Sequence, residues 1–204
     1  MRLLNGVPLI VYTIDAAQKC ADLDRIIVST DSNEIAEVAL RHGVEVDIRS
    51  ETLSSDTAAT VDVLKDLLTR VRGYDVCVIL QPTSPLRKVE DIQGCLNRYE
   101  EMGADCIISV CEAEHPPQWT NRIGTNGEMD AFLKQEDKNV RSQSFGTYYR
   151  LNGAVHLASV QRLLAEDSAF FGSNTYAYIM PRKRSIDIDT LEDFELAEYY
   201  LLRS

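Results

Sequence analysis

The amino-acid sequence predicts an α/β domain built on a doubly wound, mostly parallel sheet. Continuous apolar runs are typical of strands covered on both faces, and they lie at 25–30, 76–80 and 106–110. Stretches with apolar residues at helical spacing alternate with these runs, at 34–41, 59–70 and 90–102. Strands that alternate with helices of this length form right-handed βαβ units, and this alternation is why we predict the fold class.

Length and composition indicate one globular domain over residues 1–204, with 45% hydrophobic and 26% charged residues. Lys and Arg total 21 against 32 for Asp and Glu, and the resulting net charge of −11 repels nucleic acids and anionic membranes. No apolar run approaches the ~20 residues of a membrane span, and the first residues lack the pattern of a secretory signal. We therefore expect a cytoplasmic protein whose partners include neither nucleic acid nor membrane.

The cysteines fit a reducing compartment. They are five in number, an odd count without a C-x-x-C pair, so they suggest neither a disulfide framework nor a zinc ribbon. We interpret them as small core side chains, with a reactive thiol as the alternative; they are Cys20, Cys77, Cys95, Cys106 and Cys111.

Polar, turn-rich loops follow two of the predicted strands, at 29–33 and 81–87. Ligands of open α/β sheets lie beyond the carboxyl ends of strands, so these loops are candidate binding segments. For the first loop, the alternative is that Asp31 or Ser32 only caps the next helix. In the second, Gln81 and Ser84 supply hydrogen-bonding groups, and Arg87 can contact a phosphate or carboxylate bidentately. The second loop is therefore a candidate nucleotide or sugar loop.

The segment 185–190 carries a candidate metal site. If it is extended, its period of two places Asp187 and Asp189 on one face while Ile186 and Ile188 pack inward. Two neighbouring carboxylates repel each other, and Mg²⁺, which prefers oxygen ligands, would relieve that repulsion. The alternative is helix capping by Asp189 or Thr190, and capping by Thr190 is compatible with a metal at the two aspartates.

The alternation of strands and helices breaks between 112 and 147, where His115-Pro116-Pro117 cannot continue a helix. An irregular excursion of this length inside a compact domain is usually a functional loop or an interface arm. Regular patterns resume with a strand at 149–157 and a short helix near 160–165.

Several motifs together resemble the acylneuraminate cytidylyltransferases, the CMP-sialic acid synthetases. They occur in the family's order over nearly the whole chain: LLNGVPLIVYTIDAA (3–17), IIVSTDSNEIAEVA (26–39), LQPTSPLR (80–87), YRLNGA (149–154), the pair Phe170-Phe171, and SIDIDT with DFELAE (185–198). The resemblance implies a three-layer α/β/α nucleotidyltransferase fold of the nucleotide-diphospho-sugar transferase type. It also implies transfer of CMP from CTP, with Mg²⁺, to the anomeric hydroxyl of a nine-carbon 2-keto sugar acid, with release of pyrophosphate.

The resemblance also implies roles for individual residues. Asp187 and Asp189 would hold Mg²⁺, Gln81 and Ser84 would contact the sugar and nearby nucleotide, and Arg87 would support their loop or reach an anion. Asn152 would bind near the sugar, and Phe170 and Phe171 would line the pocket for its N-acyl methyl, with ordinary core packing as their alternative. Arg141 is the nearest candidate for the sugar carboxylate. His156, which stands where the family often has Tyr, would contact substrate or serve as a core histidine. The excursion, about 114–147, would be the arm exchanged in a homodimer.

The family usually opens with a strand and a basic, glycine-containing loop that wraps the CTP phosphates, and neither precedes Leu3 here. We therefore expect either a start upstream of Met1 or a truncated relative with impaired activity. N-acetylneuraminate, legionaminate and pseudaminate all remain candidate sugars. The alternatives to this enzyme are a nucleotide-sugar-dependent glycosyltransferase with a D-x-D metal site and a catalytically silent binding or dimerisation module.

Overall fold

The computed structural model describes residues 2–54, 59–141, 144–167 and 170–203. Within these ranges the strands are β1 (Leu3–Leu4), β2 (Val7–Pro8), β3 (Ile27–Thr30), β4 (Glu45–Ile48), β5 (Val76–Ile79), β6 (Cys106–Glu112), β7 (Tyr149–Ser159) and β8 (Thr175–Ile179). The α-helices are α1 (Leu9–Gln18), α2 (Asn33–Arg41), α3 (Thr60–Arg70), α4 (Val89–Met102), α5 (Val160–Ala165) and α6 (Leu191–Leu201).

A mixed four-stranded sheet in the order β5-β7-β6-β8 forms the centre of the fold. β5, β6 and β8 run in one direction, and β7 runs antiparallel between β5 and β6. β3 and β4 form a separate parallel pair, and β1 and β2 form a hairpin whose turn residues, Asn5 and Gly6, both have positive φ. The predicted α/β class is confirmed, with three of the four central strands parallel.

Helix α1 joins the β3–β4 pair to the four-stranded sheet because it is apolar on two sides. Ile14 packs with the α2 and β3–β4 residues of one core cluster. Ala16 packs in a second cluster, which contains Ile107 of β6 and Leu157 of β7. The last two are fully buried, so the interior of the four-stranded sheet is shielded from solvent.

The five cysteines are free, and four of them are buried. Burial raises the pKa of Cys77 and of Cys106 to about 11, which suppresses the reactive thiolate. This agrees with their interpretation as core side chains.

The excursion leaves and rejoins the sheet at adjacent positions, since the Ala113 backbone N–H donates to the Tyr148 carbonyl at 2.8 Å. Its described part contains short 3₁₀ turns at Pro117–Trp119 and Gln135–Asp137, so the predicted loss of regular structure is confirmed. Arg141 is exposed, and the two residues after it lie outside the described ranges. None of the helices in the described ranges is long and apolar enough to cross a membrane.

Candidate active site

The two predicted binding segments meet at one edge of the four-stranded sheet. β5 ends at Ile79 and leads into the loop 81–87, while β8 ends at Ile179 and leads into the segment 180–190. Because β5 and β8 point the same way, both segments emerge at the carboxyl edge, where α/β proteins bind ligands. A backbone hydrogen bond of 2.8 Å from Ile188 N to Thr83 O joins them directly.

A bulge in β7 brings the strand itself into this junction. Ile108 pairs with His156 and Val110 with Leu151, so the single residue between the β6 positions faces four residues of β7. Gly153 lies within the bulge at φ +68°, and a Cβ there would lie 2.8 Å from both Asp187 Oδ2 and Gln81 Oε1. Glycine suits this position because its φ lies in the left-handed region and an added side chain would press on the ends of both polar side chains.

The two aspartates share one open cleft. Asp187 and Asp189 line a volume of about 320 Å³ together with Arg150, Leu151, Ile186 and Asp193. Ile188, between the aspartates, is 8% exposed and packs against the core. The predicted inward packing is confirmed for Ile188 but only in part for Ile186, which packs against the same core cluster and also lines the cleft; the segment is not a regular strand.

The cleft has features that suit a divalent cation. Asp187 Oδ1 is buried without a hydrogen-bond partner, and the absence of a side chain at Gly153 leaves space beside the other carboxylate oxygen. Over the described ranges there is no group of three or more His, Cys, Asp or Glu side chains arranged for a metal. The protein would therefore supply carboxylates, with water and substrate oxygens completing the coordination shell, as is common for Mg²⁺.

Helix α6 is capped by the side chains of Thr190 and Asp193, not by those of Asp187 and Asp189. Thr190 Oγ1 accepts from Asp193 N at 3.3 Å, and Asp193 Oδ2 accepts from Thr190 N at 2.8 Å, which forms a capping box. Capping by Thr190 and the acidic face at Asp187 and Asp189 thus occur together.

Arg87 lies in the interior rather than in the cleft, which corrects its prediction as an anion-contacting residue. It is 3% exposed and donates to the carbonyls of Gln81 (3.2 Å) and Ala154 (2.7 Å) and to Thr13 Oγ1 (2.7 Å). Burial lowers its pKa to about 10, against the opposing effect of Asp91. Arg87 ties the loop to β7 and α1, which is the supporting role that the sequence left open.

Ser84 and Asn152 also serve the interior, a second correction, because both were predicted to contact substrate. They are 0% and 1% exposed. Asn152 Oδ1 accepts from Ser109 Oγ at 2.6 Å, its Nδ2 donates to Ser185 Oγ at 2.9 Å, and its carbonyl accepts from Ser84 Oγ at 3.5 Å. Both side chains are buried, hold the bulge in place and do not line the open cleft.

The predicted aromatic pair is divided between core and surface. Phe170 is 7% exposed and packs with core residues, whereas Phe171 is 59% exposed, so the two do not line one pocket. The core alternative therefore holds for Phe170. The His156 ring stacks on Phe170 at 5.3 Å, and its Nε2 is buried without a partner. Burial lowers the pKa of His156, and the nearby Asp187 carboxylate partly opposes that shift.

Arg150 is the cationic side chain that the sequence analysis missed. It lines the cleft beside the aspartates and donates to Glu114 through Nε (3.2 Å) and Nη2 (3.3 Å). A charged residue inside an otherwise strand-like run was the available signal. Arg141, the predicted cation, is exposed and has no described contact with the residues of the cleft.

The loop after β3 serves local structure. Ser32 Oγ accepts from Ile35 N at 3.4 Å and caps α2, and Asp31 pairs with Arg49 at 3.1 Å. The capping alternative for this loop is confirmed.

Comparison with known proteins identifies the family to which this chain belongs. The sequence profile of the cytidylyltransferases matches residues 1–200. The chain belongs to this family. The resemblance seen in the sequence motifs is therefore confirmed for almost the full length of the chain.

Relatives of this chain are named for several sugar acids. It is 38% identical over 197 residues to the N-acylneuraminate cytidylyltransferase of Streptococcus agalactiae serotype V, which covers 95% of this chain and 47% of the relative. It is 34% identical to the CMP-N,N'-diacetyllegionaminic acid synthase of Legionella pneumophila subsp. pneumophila, with 97% of this chain and 86% of the relative covered. The chain thus spans about half the length of the streptococcal relative.

Solved structures support the nucleotidyltransferase fold of the chain. A CMP:2-keto-3-deoxy-manno-octonic acid synthetase solved with CTP superimposes with a TM-score of 0.71 at 14% identity, over 99% of this chain and 90% of the other. A 4-diphosphocytidyl-2C-methyl-D-erythritol synthase from Anaerococcus prevotii gives 0.65 at 15% identity, over 98% and 92%. At these identities the likeness concerns the fold alone.

Proposed function

We propose that this chain transfers CMP from CTP to the anomeric hydroxyl of a nine-carbon 2-keto sugar acid and releases pyrophosphate. The observation that carries the proposal is the convergence of Gln81, Gly153 and Asp187 in the chain of a cytidylyltransferase-family member. In the reaction the anomeric oxygen attacks the α-phosphorus of CTP, and the bond from that phosphorus to the oxygen bridging to the β-phosphate breaks. The nucleotide and the sugar acid are both anions, so the cleft must bring negative charges together.

Asp187 and Asp189 would hold Mg²⁺ at the cleft. The unpartnered Asp187 Oδ1 and the space beside Gly153 support this assignment. When bound, the ion supplies positive charge that neutralises the phosphates and the leaving pyrophosphate.

The side chains of the chain itself would bind and orient the reactants. Arg150 brings a positive charge to the cleft, and that charge attracts the anionic reactants although its nitrogens already donate to Glu114 and Leu151. The Gln81 amide can pair with a sugar hydroxyl or carbonyl. Leu151 and Ile186 add apolar surface to the cleft, against which the carbon skeleton of a sugar can pack. Reactions of this type depend mainly on such positioning and charge neutralisation.

The sugar acid is proposed from the relatives. The chain resembles proteins named for acylneuraminate, diacetyllegionaminate and pseudaminate. We infer a sugar of this sialic acid type, with N-acetylneuraminate as the first to test because that relative shares 38% identity.

We also propose that the excursion at 114–147 serves a homodimer and that the enzyme works in the cytoplasm. The five free thiols are compatible with that reducing compartment.

Pyrophosphate release tests the proposed reaction. We expect release from CTP that requires both Mg²⁺ and a nonulosonic acid, with N-acetylneuraminate, legionaminate and pseudaminate supplied in turn. Asp187→Asn and Asp189→Asn should each lower kcat by about 100-fold or more, because the charge that holds the metal is lost. The matched control is Asp31→Asn, which should keep the wild-type rate. Asp31 lies in the loop after β3 and pairs with Arg49.

Three results would contradict the proposal. Absence of release with every acid would exclude the reaction. Sugar transfer from a nucleotide-sugar donor would favour a glycosyltransferase, and CTP binding without turnover would favour a silent binding module. Wild-type rates in both aspartate variants would remove the metal assignment alone.

A further inference from the structure

One carboxylate, that of Glu114, holds two arginines from different segments. Glu114 Oε2 accepts from Arg150 Nε at 3.2 Å, and Oε1 accepts from Arg150 Nη2 at 3.3 Å. Oε1 also lies 3.3 Å from Arg182 Nη2, in the turn that follows β8. Glu114 therefore fixes the orientation of the Arg150 side chain, which lines the cleft.

Arg150 hydrogen-bonds to groups other than the aspartates although it lines the same cleft. Its remaining terminal nitrogen, Nη1, donates to the Leu151 carbonyl at 3.3 Å, so each of its three nitrogens has a partner other than Asp187. Asp187 Oδ1, meanwhile, is buried and unpartnered. A buried carboxylate oxygen without a partner beside an arginine is an unstable arrangement unless something holds the arginine back.

The charges of these groups influence one another. Partial burial is the largest single effect on the pKa of Arg150 and lowers it, but the hydrogen bond to Glu114 and the nearby negative charges, including Asp187, together raise that pKa. The Glu114 carboxylate has a lowered pKa because of its hydrogen bond to Arg150, so it stays charged at neutral pH. If Glu114 lost its charge, the aspartates would be the anions that attract Arg150 in the cleft.

We propose that Glu114 is a positioning residue that keeps Arg150 from forming an ion pair with Asp187, and so leaves the two aspartates open to a divalent cation. The inference rests on the metal site of the proposed function. It adds that this site is kept open by a residue at the start of the excursion, which belongs to neither of the two binding loops.

Cation affinity tests this role without reference to turnover. Mn²⁺ binding to the whole protein is measured by calorimetry and by electron paramagnetic resonance, with Mn²⁺ alone as the probe. Glu114→Gln should weaken Mn²⁺ binding about tenfold, because the released guanidinium competes for the aspartates. Arg150→Gln should bind Mn²⁺ at least as tightly as wild type, and the double variant should match Arg150→Gln within about twofold.

Glu45→Gln is the matched control. Glu45 holds Arg25 through two hydrogen bonds of 2.8 Å on the β3–β4 sheet, so this variant breaks a pair of the same kind away from the cleft. It should leave Mn²⁺ affinity unchanged. The Glu114 side chain is 43% exposed, so its replacement should not prevent folding; if it did, the Arg150→Gln variant alone would carry the test.

The outcomes separate the inference from the proposed function. Wild-type affinity in Glu114→Gln overturns the inference alone. So does a double variant as weak as Glu114→Gln, because Glu114 would then act on the cation directly or through the fold. Weaker binding by Arg150→Gln than by wild type overturns it as well. If the wild-type protein does not bind Mn²⁺, the metal site of the proposed function fails, and the inference fails with it.

Discussion

Gly153 determines both the backbone conformation of the bulge and the space available to Asp187 and Gln81. Its φ of +68° costs other residues about 1–2 kcal/mol, and an added Cβ would press on Asp187 and Gln81 at 2.8 Å. Gly153→Ala should therefore reduce the free energy of unfolding by about 1–2 kcal/mol and weaken Mn²⁺ binding about tenfold, as urea unfolding and calorimetry would measure.

Gly43→Ala separates the two effects of that substitution. Gly43 has a φ of +74° and nothing within 4 Å of an added Cβ, so its replacement shares the backbone strain without the contact. A loss of Mn²⁺ affinity equal in both variants would contradict the assigned contact.

His156 should make stability depend on pH below neutrality. Burial lowers its folded pKa from the ordinary 6.5, so the folded protein favours the neutral imidazole. The unfolded chain then binds the proton more readily, and the stabilisation present above pH 6.5 is lost as pH falls towards the lower folded pKa. In urea unfolding at a series of pH values below 6.5, His156→Gln should lose less stability than wild type. Parallel curves for the two proteins would contradict this.

Some of these residue roles could be predicted and others could not. The burial of Ile188 between the aspartates follows from local chemistry, and the structure keeps it, whereas Ile186 lines the cleft with them. Arg87 and Asn152 were recognised as polar residues near the site, but their direction is set by distant segments such as α1 and Ser185. Residue type gives hydrogen-bonding capacity, while the tertiary fold decides where that capacity is used.

At the scale of elements, the β7 bulge depends on one buried side chain. Asn152 accepts from Ser109 Oγ at 2.6 Å and from Ala154 N at 3.2 Å, and donates to Ser185 Oγ at 2.9 Å. It therefore joins β6, β7 and the segment that carries the aspartates. Because Ser109 Oγ also accepts from Val155 N, the network extends along the bulge.

Asn152→Ala should reduce the free energy of unfolding by about 2–4 kcal/mol, since several buried polar groups would lose a partner. Asn97→Ala is the control, because Asn97 is exposed on α4 and accepts a hydrogen bond from Gln93; its effect should stay within about 0.5 kcal/mol. Chemical denaturation of both variants measures the difference. A similar, small loss in both would show that the bulge does not need this network.

The predicted elements were those with one clear periodicity. Helices α2, α3 and α4 and strands β5 and β6 lie within about two residues of their predicted bounds, because each is long or continuously apolar. Helix α1 was missed, since packing against two clusters leaves it without a polar stripe. Strands β4 and β8 were also missed. They have four and five residues and are partly exposed, and neither is a continuous run of strongly apolar residues like β5.

At the scale of the whole molecule, the two larger sheets should differ in stability. The four-stranded sheet holds fully buried residues such as Ile107 and Leu157, whereas β3 and β4 are mostly half-exposed and pair only with each other within the described ranges. Hydrogen exchange followed by mass spectrometry should therefore show β6 and β7 amides protected at least about tenfold more than those of β3 and β4. Equal protection would mean that the two sheets open as one unit, held together by helix α1, which packs in the core clusters of both.

The bond from Ile188 N to Thr83 O involves main-chain atoms only. Replacing the side chain at either position leaves that attachment intact; proline at 188, which lacks the donor, is the exception. Divergent members of a lineage could therefore exchange side chains along both loops, and alter which sugar they favour, while the loops stay fastened to each other.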